Sequence, residues 1–508
     1  MTQPADLVLT GGEVHPLTRS DDPAEALAIR DGRIVRIGSA IEVGFLEGVE
    51  TRVVELGGGV VLPGFIDAHT HLEMLGRYLV HADLRGAQGP DECLDRLRSV
   101  QPRDEWRLGF GFDESTWADS RYLTRADLDR VTDERPVVAF REDMHVASVN
   151  TVVLERFRDE MPDADVRTVE GEPTGVLVEE AVDVLYRAIE PDRAVTKELL
   201  LAAQNHALEH GVTGVHEMVR HSHAPSVYRA LDRDGALKIR VRLNYWADHL
   251  DAALETGLQS NHGSDRVRVG AIKTYTDGSF GGRTAKVSEP YTDGEGTGQW
   301  VVPPDELASI VDRAHEGGFQ LTAHAIGDAA VDAVLDAYEA VDDPGERRHR
   351  VEHAELTEGD AIERLATGGI VASVQPNFLK WARTGGLYDE RLGEDRRRRT
   401  NRYRDLCDAG VRLAFGSDCM PLDPLFGIHQ TVNAPDPRQR LSVSEALRAY
   451  TSGSAYAGFD EDRFGTIEVG KRADLVALDR SPWELPAEID EIDVELTIVG
   501  GVIEYDGR

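Results

Sequence analysis

Eight short apolar runs recur along the chain, and helical stretches lie between several of them. The runs are "GVVLPGFID" (59–67), "GVTGVHE" (211–217), "KIRVRLNYW" (238–246), "RVGAIKTY" (268–275), "GFQLTAHAIGD" (318–328), "RVEHAEL" (350–356), "IVASVQPNF" (370–378) and "VRLAFGSD" (411–418). Helix-patterned segments such as "PDELASIVDRAHEGG" and "DAAVDAVLDAYEAV" flank the fifth. Alternating strand and helix predicts an α/β fold with a parallel sheet, and eight units close into a (β/α)8 barrel of the TIM type. A plain barrel takes roughly 250 residues, whereas His69 to Asp418 alone spans 350. An α/β insertion is therefore expected at about 79–200, where "WRLGFGFD" and "RPVVAFR" read as further strands.

The two ends read differently. "EALAIRDGRIVRIGS" places Asp31-Gly32 between two extended runs, a hairpin signal. "GTIEVGKRADLVALD" and "DVELTIVGGVIEYDG" are extended as well, with Gly500-Gly501 as a turn. Neither end holds enough apolar residues for its own core. They are expected to combine into a small β-sandwich from residues 1–63 and 455–508, leaving 64–454 for the barrel. The arginine run 396–400 reads as a solvated surface.

The chain carries 92 acidic and 56 basic residues, a net charge of −36. Such a surface excludes nucleic acid and anionic membrane as partners, because both demand basic patches. Only six of the basic residues are lysine, and carboxylate-rich, lysine-poor chains resemble those of halophilic organisms. Three cysteines form no disulfide framework, and no signal peptide or 20-residue apolar span is evident. A cytoplasmic protein acting on a small molecule is the expectation.

Barrels of this type place reactive groups at the C-terminal ends of their strands. Those ends carry His69 and His71, Lys273, His324, His353 and Asp418. Alternation puts His69 and His71 on one face, where both reach one ion, and imidazole with carboxylate suits zinc and similar divalent metals. Lys273 at such a position buries an ammonium unless it is paired. Either it pairs with a carboxylate such as Asp277, or its amine takes up carbon dioxide as a carbamate able to bridge two ions. The other histidines are poorer candidates: "HSH" (221–223) lies past a strand end, and His206 and His210 share one helix face.

"PGFIDAHTH", "AIKTYTDGS", "TAHAIGD", "VEHAEL" and "GSD" together resemble the amidohydrolase superfamily, and their order resembles its YtcJ-like branch (amidohydrolase family 3), which includes N-substituted formamide deformylase. The resemblance implies that His69, His71 and Asp418 bind one metal, that His324 and His353 bind a second, and that carbamylated Lys273 bridges them. It implies hydrolysis of an amide or related C–N bond by a metal-bridging hydroxide, with Asp418 moving the proton. His145, Arg283, Gln375 and Trp381 are the expected substrate contacts, and His216 either joins them or packs structurally. A homodimer is expected by analogy with relatives. Two other readings stay open: a mononuclear deaminase of an amino-substituted heterocycle, and a metal-binding scaffold without catalysis.

Overall fold

The computed structural model describes residues 3–18, 22–101, 105–114, 117–142 and 146–508. Eight parallel strands form one sheet in sequence order. They are Phe65–Thr70, Val212–Val219, Arg240–Trp246, Val267–Tyr275, Leu321–Ala325, Arg350–His353, Val371–Val374 and Leu413–Phe415, numbered first to eighth below. The expected (β/α)8 barrel is present. The strands are almost wholly buried, as a sheet covered on both faces requires.

The eighth strand returns to the first through the backbone: the Asp418 amide donates to the His69 carbonyl at 2.8 Å. Gly416 makes this approach possible. A Cβ there would stand 2.5 Å from the His69 nitrogen and 2.8 Å from the His69 Cβ.

Strands from both ends of the chain build two further sheets. Leu7–Thr10, Ala26–Arg30, Arg33–Gly38 and Arg52–Glu55 form one. In the other, Val60–Pro63 pairs antiparallel with Leu475–Leu478, which is followed by Val494–Val499 and Val502–Asp506. Leu7, Ile29, Val61, Leu475 and Ile498 meet in one apolar cluster between the sheets. The hairpin signals hold at residue level. Asp31 and Gly32 have φ of 52° and 71°, Gly500 and Gly501 of 59° and 80°, so each pair makes a tight turn between antiparallel strands.

Leu72–Ala203 is a separate compact unit. Its six-stranded sheet includes Arg107–Phe112 and Val137–Arg141 as parallel neighbours, and Phe110, Phe140 and Leu177 lie in its core. Among the described residues no helix is long and apolar enough to cross a membrane.

The arginine run departs from expectation. Arg396 and Arg397 are only 9% and 6% exposed. Arg396 donates to the carbonyls of Glu289 and Pro290 at 2.9 and 2.7 Å, and Arg397 to that of Ala382 at 3.0 Å. Arg396 ties down the long loop after the fourth strand and Arg397 the segment after the seventh, so their guanidinium groups are buried with partners rather than solvated.

Replacing Gly416 with alanine should force the eighth strand off the first, a steric clash with backbone that costs about 2–4 kcal/mol. The expected outcome is a lower thermal midpoint together with loss of bound metal, read by calorimetry and elemental analysis of one preparation.

Candidate metal centre

The centre starts from one strand face. Asp67, His69 and His71 recur at every second position. The Asp67 carboxylate accepts the backbone amides of His69 at 3.1 Å and Ser417 at 2.9 Å, bracing the first strand against the eighth. Burial pushes that carboxyl up to about 7. Asp418 and Cys419 adopt left-handed backbone, φ 53° and 58°, at the turn that brings the Asp418 carboxylate back over the ring of histidines. Asp418 Oδ1 stands 3.6 Å from His69 Nε2 and 3.3 Å from His71 Nε2. Ligand-type atoms of these three residues all lie within 4.8 Å of one another.

The rings are set from behind. His69 Nδ1 donates to Glu352 at 2.5 Å, which leaves its Nε2 facing Asp418. Glu352 is fully buried and is held in turn by Thr322 and by Arg350, whose Nε is 2.8 Å away. His353 Nδ1 donates to Gln375 Oε1 at 2.7 Å and leaves its own Nε2 free for the centre. His324 is turned the other way: Nε2 donates to the Gly278 carbonyl at 2.9 Å, and buried Nδ1 has no partner. Ring centroids of His69 and His353 are 5.0 Å apart, those of His324 and His353 4.4 Å. Strand alternation would send Glu352 and His353 to opposite faces. A left-handed turn at His353 (φ 70°) and Ala354 (φ 45°) lets both address one site.

Lys273 reaches the same layer from the fourth strand. Its amine is buried and without a hydrogen-bond partner, 5.3 Å from the ring centroid of Tyr275. Asp277 does not pair with it. That carboxylate accepts the amides of Lys286, Ile326 and Gly327 at 2.8, 3.1 and 2.9 Å.

The local field suits a cation. Burial would raise the Asp418 carboxyl, but His69, His71 and His353 hold it well below the usual carboxylate range. Burial keeps His69 and His324 below the usual imidazole value and brings His353 to about 3, so all three present neutral rings, the form that binds metal. Burial also brings the Lys273 amine down to about 8, against the opposing pull of Glu352 and Asp418. An orphaned buried amine, an orphaned imidazole nitrogen and a carboxylate between two imidazoles form a donor set fit for divalent ions.

The expected substrate contacts have different surroundings. Gln375 sits behind His353 and keeps a buried Nε2 with no partner. Trp381 lies beside Phe378, centroids 4.8 Å apart, and Phe378 is parallel to the His353 ring at 6.0 Å. Arg283 is committed to Asp293 at 2.7 and 3.0 Å within its own loop. His216 does not join the ligand cluster: its Nδ1 accepts from Arg350 at 2.8 Å, and its ring lines the opposite end of the barrel. His145 falls outside the described residues.

Sequence reasoning missed Glu352, Arg350, Tyr275 and Trp246. Tyr275 stacks on His324 with centroids 3.8 Å apart, and Trp246 stacks on Tyr275 at 5.6 Å. Two charged residues inside the buried strand "RVEH" were the available signal for the first pair, since charge there demands a partner.

A parallel barrel with this donor set at its strand ends defines a metal-dependent hydrolase. The amidohydrolase-family profile matches residues 52–505, and the chain belongs to that family. It is 32% identical to the YtcJ protein of Bacillus subtilis, over 98% of each chain. It is 29% identical to the N-substituted formamide deformylase of Arthrobacter pascens, over 100% of this chain and 99% of that one. Among solved structures it resembles an uncharacterized metal-dependent hydrolase from Pyrococcus furiosus. That likeness has a TM-score of 0.81 and 32% identity, covering 94% of this chain and 99% of the other.

Glu352→Gln keeps the side-chain shape and removes the charge behind His69. Residues in that role typically carry 10–100-fold in metal affinity, so zinc affinity measured by chelator competition should fall by about that factor, with secondary structure unchanged.

Proposed function

We propose that this enzyme hydrolyses the C–N bond of an N-substituted amide, with two divalent ions, zinc in the first instance, held by His69, His71, His324, His353, Asp418 and a carbamate on Lys273. The observation that carries the reading is Lys273 itself: a buried amine without an acceptor beside three neutral imidazoles. An ammonium left so is costly. Addition of carbon dioxide to the free amine, with loss of one proton, turns a misplaced cation into an anion with two ligand oxygens.

Divalent ions held by these residues would supply Lewis acidity, lowering the pKa of a water toward about 7 and polarising a carbonyl oxygen. The chain's own groups account for the remaining tasks. Asp418, ionised between His69 and His71, accepts a proton from the attacking water and delivers it to the leaving nitrogen as the C–N bond breaks. The products are a carboxylic acid and an amine. Gln375, whose Oε1 accepts from His353 Nδ1 at 2.7 Å, keeps the His353 Nε2 aimed at the centre. Trp246, Tyr275, Phe378 and Trp381 supply flat apolar surface beside the centre, suited to an aryl or other apolar substituent on the amide nitrogen. Arthrobacter pascens N-substituted formamide deformylase, similar over the whole chain, makes aryl-substituted formamides the first substrates to try.

A second reading rests on the compactness of His69, His71 and Asp418. Three ligands suffice for one ion, and one ion favours a deaminase of an amino-substituted heterocycle. Metal content separates the two: the binuclear enzyme holds two ions per chain and Lys273→Ala one or fewer, whereas the deaminase holds one in both.

Carbamylation needs the uncharged amine, and Lys273 sits at about 8. Below that value the amine is protonated and unreactive; above it the free form dominates. Reactivation of metal-stripped enzyme by zinc with bicarbonate should therefore quicken as pH rises and level off above about 8, and Lys273→Ala should show no bicarbonate dependence. Equal rates with and without bicarbonate would remove the carbamate from the mechanism.

A further inference from the structure

At the N-terminal end of the barrel, opposite the metal centre, the charge of the molecule is inverted. A cavity of about 20 Å³ is lined by Arg240, Arg242, Arg266, Arg268, Arg463 and His216, with only Asp265 and Asp460 as carboxylates. Asp474, paired with Arg240 at 2.5 Å, supplies one further negative charge. Two guanidinium charges remain in excess, and Arg472, 2.9 Å from Asp265, adds a third. This occurs in a chain of net charge −36.

The carboxylates are shared rather than sufficient. Asp460 is approached by Arg242 at 3.0 Å, Arg268 at 3.4 Å and Arg463 at 2.5 Å. Asp265 is approached by Arg240, Arg463 and Arg472. Arg240 and Arg242 are only 6% and 4% exposed, so water does little to screen them.

His216 makes the same demand with a neutral group. Its Nδ1 accepts from Arg350, which can only donate, so the ring proton is on Nε2. That N–H has no acceptor among the described residues. Gly458 keeps the space beside it open: a Cβ there would come within 2.8 Å of His216 Nε2 and 2.7 Å of Arg242 Nε. A volume of this size holds roughly one water-sized particle.

We infer that this cavity binds a single small monovalent anion of the halide class, held by Arg242, Arg268, Arg463 and the His216 Nε2–H. The anion offsets the surplus guanidinium charge where the barrel's first four strands meet the segment 460–464. This site is independent of the catalytic reading and takes no part in the chemistry.

The test uses the full-length protein with sodium and ionic strength held constant. Replacing gluconate with chloride or bromide should raise the thermal midpoint saturably, by about 1–3 °C for a domain this large. Arg268→Gln, at the mouth of the cavity and 26% exposed, should fold normally and lose most of that shift. A bromide-soaked crystal should show an anomalous peak between Arg242 and His216. A water at that position without bromide would overturn the proposal, as would a midpoint shift identical in wild type and Arg268→Gln.

Discussion

Arg350 carries a full positive charge at 1% exposure in the middle of the barrel, and the interior is arranged around that fact. A buried guanidinium is tolerable only when every donor finds an acceptor. Arg350 finds them on three other strands as well as its own: Glu352 beside it, the Ala68 carbonyl, Ser373 Oγ and His216 Nδ1. Glu352, charged because Arg350 and His69 hold it well below the usual carboxylate range against the effect of burial, then fixes the tautomer of His69. Removing either partner strands the other in a low dielectric, so the pair sets the register of the strands as well as the aim of the ligand.

Above that layer the site depends on backbone that ordinary strands do not adopt. His353, Ala354, Asp418 and Cys419 all have positive φ, each costing of order 1–3 kcal/mol for a residue other than glycine. These four residues stand at the ends of the sixth and eighth strands. There the strain allows consecutive residues to serve one centre and places a carboxylate over two imidazoles. The packed strands below hold it in place, and the aromatic stack of Trp246, Tyr275 and His324 shields one flank.

Much of this was legible in the chain. The eight apolar runs each became a barrel strand, because continuous burial on both faces selects such runs, and Asp31-Gly32 and Gly500-Gly501 turned where left-handed residues were needed. The residues at the strand ends converge because parallel strands all point one way. What periodicity could not reveal was pairing across the barrel. That Glu352 lies behind His69, or that Gln375 lies behind His353, depends on strand order and stagger. Nor does alternation anticipate a positive φ at His353. Arg396 and Arg397 misled for a related reason: arginine is usually solvated, and only the folded chain brings up the carbonyls of Glu289, Pro290 and Ala382 that bury them.

The two ends of the chain share one β-structure, and this imposes an order on synthesis. Val60–Pro63 finds its antiparallel neighbour only in Leu475–Leu478, and Leu7, Ile29 and Val61 share their core with Leu475 and Ile498. At about 5–20 residues per second, the intervening stretch keeps those apolar faces uncovered on the ribosome for roughly 20–80 seconds. The nascent N-terminus is therefore the segment most in need of a chaperone, and a chain cut short before its last strands loses the partner of its first.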